Sequence, residues 1–73
     1  MSAHILKAEL TGVVCEIVAT AGTRVEPDTA VLVLESMKME IPVSAPHGGV
    51  VKTVYVAVGD MVNEGDPLAV IEA

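Results

Sequence analysis

The chain has 73 residues, four basic against ten acidic side chains for a net charge of −6, and 52% hydrophobic residues with a single aromatic, Tyr55. That balance repels a phosphate backbone and an anionic membrane, and the lack of Phe and Trp removes the platforms on which bases stack, so neither nucleic acid nor membrane is an expected partner. The length suits one domain, residues 1–73, with no room for a second, and no apolar run approaches the ~18 residues of a membrane span.

The opening residues, Met1-Ser2-Ala3-His4-Ile5-Leu6-Lys7, lack the charged region, apolar stretch and cleavage site of a signal peptide. Cys15 is the lone cysteine, which rules out an internal disulfide; both features fit a cytoplasmic location. Cys15 reads as a small buried hydrophobe, with a reactive thiol as the alternative. The apolar residues are mostly β-branched, fourteen Val and four Ile beside five Leu. Such side chains pack well on a pleated surface, so strands are expected throughout.

A first long strand is expected from Gly12, with Val13, Ile17, Ala19 and Ala21 in one phase, Glu16 and Thr20 in the other, and Gly22 as its end. Pro27-Asp28 marks a turn before the apolar run Val31-Leu32-Val33-Leu34. Apolar residues resume at Ile41 and Val43, so a tight hairpin is expected around Met37-Lys38. Pro46-His47-Gly48-Gly49 breaks the chain before a second long strand carrying Val50, Val54, Val56 and Val58, with Thr53 and Tyr55 in the opposite phase and Gly59 at its end. Asn63-Glu64-Gly65-Asp66-Pro67 is the last turn, ahead of Leu68, Val70 and Ile71. The second half repeats the first at an offset of 37 residues: Gly12–Glu35 falls on Gly49–Glu72 without a gap, with seven of 24 positions identical. Two half-repeats, about 5–37 and 42–73, each too small to bury its own apolar face, are expected to pack into one core. The expected fold is all-β, about eight short strands in two packed sheets or a flattened barrel.

The joint between the copies breaks a local rule. Two-residue hairpin loops need positive φ and normally use Asn-Gly, Asp-Gly or Gly-X. Here Met37-Lys38 stands at the tip, flanked by Met39. Broken local rules concentrate at functional sites. Lys38, one of three lysines with Lys7 and Lys52, is thereby an amine held clear of the body, suited to enzymatic acylation. No Ser/His/Asp group, metal cluster or phosphate-binding loop competes with it. His4 and His47 lie far apart in sequence and read as solvated surface residues, and Glu35 and Glu40 as the solvated flanks of the hairpin. The alternative for the tip is that Met37 and Met39 fill core gaps and Lys38 is an ordinary surface charge.

Glu35-Ser36-Met37-Lys38-Met39-Glu40 resembles the attachment motif of biotinyl domains, and the likeness runs through Ala45–Val51, Val58–Val62 and Gly65–Leu68. The chain is similar to the small bacterial biotin/lipoyl attachment proteins and to the C-terminal domain of biotin carboxyl carrier proteins. The resemblance implies a flattened barrel of two four-stranded antiparallel sheets with quasi-two-fold symmetry, the lysine hairpin at one end and both termini at the other. It implies covalent biotin on Lys38, with Met37 and Met39 positioning it, and recognition of Glu35, Ser36, Met37, Met39 and Glu40 by biotin protein ligase. It further implies a non-catalytic carrier, monomeric in isolation, moving carboxyl groups from biotin carboxylase to a carboxyltransferase that acts on an acyl-CoA or keto acid. Gly59 and Gly65 match the family's turn glycines. No insertion is present for the protruding loop of one carrier branch. Lipoyl domains share the fold but typically carry Asp-Lys-Ala at the tip, so lipoate is the alternative cofactor. An unmodified scaffold of the same fold is the alternative from another class.

Overall fold

The computed structural model describes residues 2–73. Strands form where the β-branched runs fall: β1 Ala3–Lys7, β2 Gly12–Ile17, β3 Arg24–Val25, β4 Ala30–Ser36, β5 Met39–Ser44, β6 Gly49–Val54, β7 Met61–Val62 and β8 Pro67–Glu72. One antiparallel sheet has the order β1-β8-β6-β3, the other β5-β4-β2-β7. Exchanging each strand for the one four places on in the chain turns the first order into the second. The internal two-fold expected from the 37-residue repeat is therefore present in the topology.

The symmetry extends to single hydrogen bonds. The Gly22 N–H donates to the Val51 carbonyl at 2.7 Å, and its mate Gly59 donates to Val14 at 2.8 Å. Val14 N–H donates to Asp60 and Val51 N–H to Thr23, both at 2.9 Å. Buried side chains pair in the same way: Val14 with Val51, Val25 with Val62, Val31 with Leu68, Leu34 with Ile71 and Ala8 with Ala45. These residues meet in one core between the sheets, and no polar side chain is buried among the described residues. Each fully buried Val or Leu is worth ~1.5–3 kcal/mol, so the fold rests on both copies contributing to one interior.

Two expectations are corrected. The inward residues are Val14 and Val51, both fully buried, whereas Val13 is half-buried and Val50 exposed. The cause is a pair of β-bulges. Opposite β4, residues 14 and 16 meet 34 and 33, which leaves Cys15 as the extra residue; opposite β8, residues 51 and 53 meet 71 and 70, which leaves Lys52 as its mate. An inserted residue reverses the alternation, so Val14 and Ile17 point inward with Glu16 outward. The long strands also stop early, at Ile17 and Val54 instead of Gly22 and Gly59. Beyond Ile17 the chain leaves one sheet and crosses to the other, where Arg24–Val25 pairs with Val50–Gly49. Ala21 and Val58 lie in these crossings and are exposed.

Gly12 and Gly49 serve close approach. A Cβ on Gly12 would lie 2.8 Å from the Glu35 carbonyl oxygen, and one on Gly49 would collide with the Glu72 carbonyl. Both glycines therefore let a neighbouring strand pass at contact distance. They also mark the two ends of the molecule, which measures 36 × 18 × 17 Å. Gly12 abuts the strand that leads into the hairpin, and Gly49 abuts the C-terminal residues. β5 carries the chain along about 20 Å of that length.

Candidate functional site

β4 and β5 pair from Ala30↔Ser44 to Ser36↔Met39, leaving Met37 and Lys38 as a two-residue loop. Their φ values are +52° and +65°. Positive φ at both central residues is the signature of a type I′ turn, whose twist matches that of the flanking strands. For side chains other than glycine this region costs ~1–2 kcal/mol per residue. Strain of this kind persists where its surroundings enforce it and clusters at functional sites. Here six residues of paired strand on either side impose the turn.

The tip side chains face solvent. Met37 is 91% exposed and Met39 63% exposed, so neither fills a core gap. Lys38 is exposed and forms no ion pair among the described residues, whereas Lys52 is bridged to Glu72 at 3.5 Å. Glu35 and Glu40 are exposed and lie directly opposite each other one step below the tip; Ser36, half-buried, closes the turn against Met39. Two like charges directly opposite on paired strands repel. The pair is open to water, which limits that cost.

The surrounding face is acidic and apolar together. Glu40, Glu35, Val13 and Met61 form one row across the sheet, and cross-strand partners point to the same face. Met61 is 73% exposed, a third solvent-facing methionine near the tip. Reading the sequence for turns missed it. The repeat held the signal, because the mate of Met61 in the first copy is Arg24. The strands of this sheet carry Glu16, Glu35 and Glu40 and no Lys or Arg, while those of the other sheet carry Lys7, Arg24 and Lys52 against Glu72 alone.

Cys15 is half-buried on its bulge, and its thiol donates to the Val33 carbonyl at 3.4 Å. Burial pushes that thiol above its ordinary value, and the carboxylates of Glu40 and Glu35 push it the same way. A thiol that holds its proton is a poor nucleophile, which favours a packing role. His4 and His47, expected as separate surface residues, come together: their rings pack edge to face with centroids 6.1 Å apart. His47 is half-buried, and its Nδ1 lies 2.9 Å from the Gly48 carbonyl, which can only accept, so the proton sits on Nδ1. This contact joins β1 to the β5–β6 connection, and no local pattern announces it.

Taken together, the described residues offer one exposed amine on a stiff, strained hairpin, with no metal-binding group of three or more ligands beside it. Comparison with known proteins shows the family. A biotin/lipoyl family model, described as biotin-requiring enzyme, matches residues 7–71. A biotinylated protein TB7.3 homolog of Mycobacterium leprae is 44% identical over 66 residues, covering 90% of this chain and 93% of that protein. A biotin/lipoyl attachment protein of Bacillus subtilis is 45% identical over 60 residues, 82% of each chain. Among solved structures, the Kluyveromyces lactis urea carboxylase superposes with a TM-score of 0.92 at 39% identity, over 99% of this chain but 6% of that much longer one. By its fold, its repeat and these matches, the chain belongs to the biotin/lipoyl attachment family.

Proposed function

We propose that the chain is a biotin carrier that accepts biotin on Lys38 from a biotin protein ligase and presents it in turn to a biotin carboxylase and a carboxyltransferase. The observation that carries this reading is the tip itself. Lys38 stands between two methionines exposed to solvent on a type I′ turn that the fold has no need to fill with such residues. Met37 and Met39 are then available to a ligase as apolar contacts, with Ser36, Glu35 and Glu40 beneath them as its polar surround. The biotinylated relative and the carboxylase neighbour support biotin as the group carried.

Loading places the Lys38 Nζ against the carboxyl carbon of an activated acyl adenylate. A C–N bond forms, the bond to the adenylate oxygen breaks, and AMP departs with that oxygen. Nζ sheds its protons to the ligase and solvent, since Glu35 and Glu40 are exposed carboxylates and no other base flanks the tip among the described residues. When bound, the biotin supplies the ring nitrogen that holds a carboxyl group. This chain supplies placement: a tethered group reaches a second site at an effective concentration set by its tether instead of by free diffusion.

Lipoate is the second reading, favoured by the dual designation of the Bacillus subtilis relative. Co-expression with biotin and lipoate ligases, followed by intact-mass measurement and peptide mapping, separates the readings. One biotinyl addition on Lys38 is expected. A lipoyl addition there reassigns the cofactor. A folded, unmodified chain beside an active ligase replaces the carrier reading with a scaffold.

A further inference from the structure

The repeat supplies an internal comparison of lining: the two-fold mates of Glu9, Ile41, Pro42 and Val43, which are Pro46, His4, Ile5 and Leu6, also border a hollow, one of about 640 Å³ that adjoins the groove described next through Glu9, Pro42 and Val43. Below the hairpin, on the open side between the sheets, lies a groove of about 280 Å³ lined by Leu10, Leu34, Ile41, Pro42 and Val43, with the carboxylate of Glu9 at its rim. That is near the lower limit of small-molecule pockets, and its lining has their usual character, apolar with one polar group. The two-fold carries Leu10 onto His47, Ile41 onto His4 and Leu34 onto Ile71. At the terminal end the two imidazoles pack against each other. At the lysine end the same positions hold aliphatic side chains, with Leu10 and Ile41 half-buried and Leu34 fully buried beneath them. Neither sequence copy nor backbone requires that difference.

The distance from the tip suits an attached group. Ile41 is three residues along β5 from Lys38, about 10 Å of strand. A lysine side chain extended by a five-carbon acyl chain outreaches that distance, so a ring at its far end can fold back onto Leu10 and Ile41. The chemistry of the rim also matches a fused sulfur heterocycle bearing a cyclic urea. The apolar ring face meets the aliphatic floor, and the urea N–H groups find an acceptor in Glu9. A dithiolane has no such donor.

We infer that acylated Lys38 folds its bicyclic ring into this groove between visits to partner enzymes, with Leu10 and Ile41, backed by the buried Leu34, as the floor and Glu9 as the acceptor for the urea N–H. This deepens the biotin-carrier reading and rests on it. The resting position keeps the apolar ring out of water near the domain, and the swung-out position is the one partners capture.

The test is methyl-resolved NMR of the full chain before and after enzymatic biotinylation, with intact mass as the loading control. Chemical-shift changes are expected at Leu10, Leu34, Ile41 and Val43, and none at the two-fold mate Ile71 or at Leu6. Glu9→Ala, an exposed change that removes the acceptor oxygens, is expected to remove the downfield shift of one urea N–H while leaving the fold untouched. Leu10→Ser is expected to abolish the changes at Leu34 and Val43. Biotin present by mass with shifts confined to Met37, Lys38 and Met39 overturns the groove and leaves the carrier reading standing. No biotin on Lys38 overturns both.

Discussion

The hairpin end and the terminal end of this molecule are two versions of one structure. Ser36 and Met39 pair where β4 passes into β5; at the other end their mates, Ala73 and Ser2, are joined by the Ala73 N–H to Ser2 carbonyl bond at 2.9 Å. Gly12 lies against Glu35 as Gly49 lies against Glu72. The terminal end achieves this geometry with no loop between its strands. The fold therefore places no demand on which residues join β4 to β5, and Asn-Gly would do so with less strain. What separates the two ends is the cost borne at Met37 and Lys38, a cost that the proposed carrier role accounts for and the fold does not.

The comparison can be broken or sharpened by substitution. The largest effect is expected from Lys38→Arg, which keeps the charge and removes the acylable amine: loading is lost entirely, with an unchanged melting curve. Label appearing on Lys7 or Lys52 would remove the hairpin from the function. Next come the paired core residues. Leu34→Ala and Ile71→Ala are each expected to cost ~2–5 kcal/mol by leaving a cavity, and similar losses in urea unfolding show that both ends are built on one interior. A gap of several kcal/mol between them breaks the equivalence.

The close-approach glycines should differ by less. Gly12→Ala forces a methyl onto the Glu35 carbonyl inside a closed hairpin and is expected to cost ~1–3 kcal/mol, a fall in Tm of roughly 4–8 °C per kcal/mol. Gly49→Ala meets a tighter contact at Glu72, but on β8, which no hairpin loop ties to its neighbour β1, so the strand can yield. The prediction is a smaller loss at Gly49; the reverse order would show the C-terminal strand to be the stiffer. Met37→Gly relieves positive φ at an exposed site, and after the added chain entropy of glycine it is expected to raise stability by ~0.5 kcal/mol while slowing biotinylation. Faster or equal loading would separate the methionine from ligase recognition.

The smallest effect concerns the bulge residues, a thiol at position 15 and its ion-paired mate Lys52. The folded Cys15 thiol titrates above its unfolded value. Its contribution to stability is therefore complete below the ordinary cysteine range, near ~8.5, and declines as pH rises through it, because the unfolded chain releases its proton first. Alkylation of the folded chain by iodoacetamide should lag that of the urea-unfolded chain across this range. Equal rates would place the thiol in free contact with water.

Much of this was legible in the sequence because symmetry writes the fold twice. The repeat, the two sheets, the turn at Met37-Lys38 and the exposure of its lysine all follow from patterns along the chain. The phase of the long strands did not. Val13-Val14 and Val50-Val51 are equally apolar pairs, and only the bulges at Cys15 and Lys52 decide which member turns inward. The meeting of His4 with His47 depends on two elements from opposite copies, and the apolar setting of Leu10 and Ile41 emerges once the two-fold is applied in space. Gly12 and Gly49 appeared in the repeat as identities, but their reason is a carbonyl from a strand more than twenty residues away in sequence.

The long axis has a consequence for reach. Anything joined to either terminus attaches at the end remote from Lys38, so the domain acts as a rigid spar 36 Å long. A flexible tether gains span only as the square root of its length, at about 5–6 Å × √n, and would need about 40 residues to match that distance on average. Stiffness thus adds a full molecular length to the excursion of a group attached at the tip without adding disorder to its position.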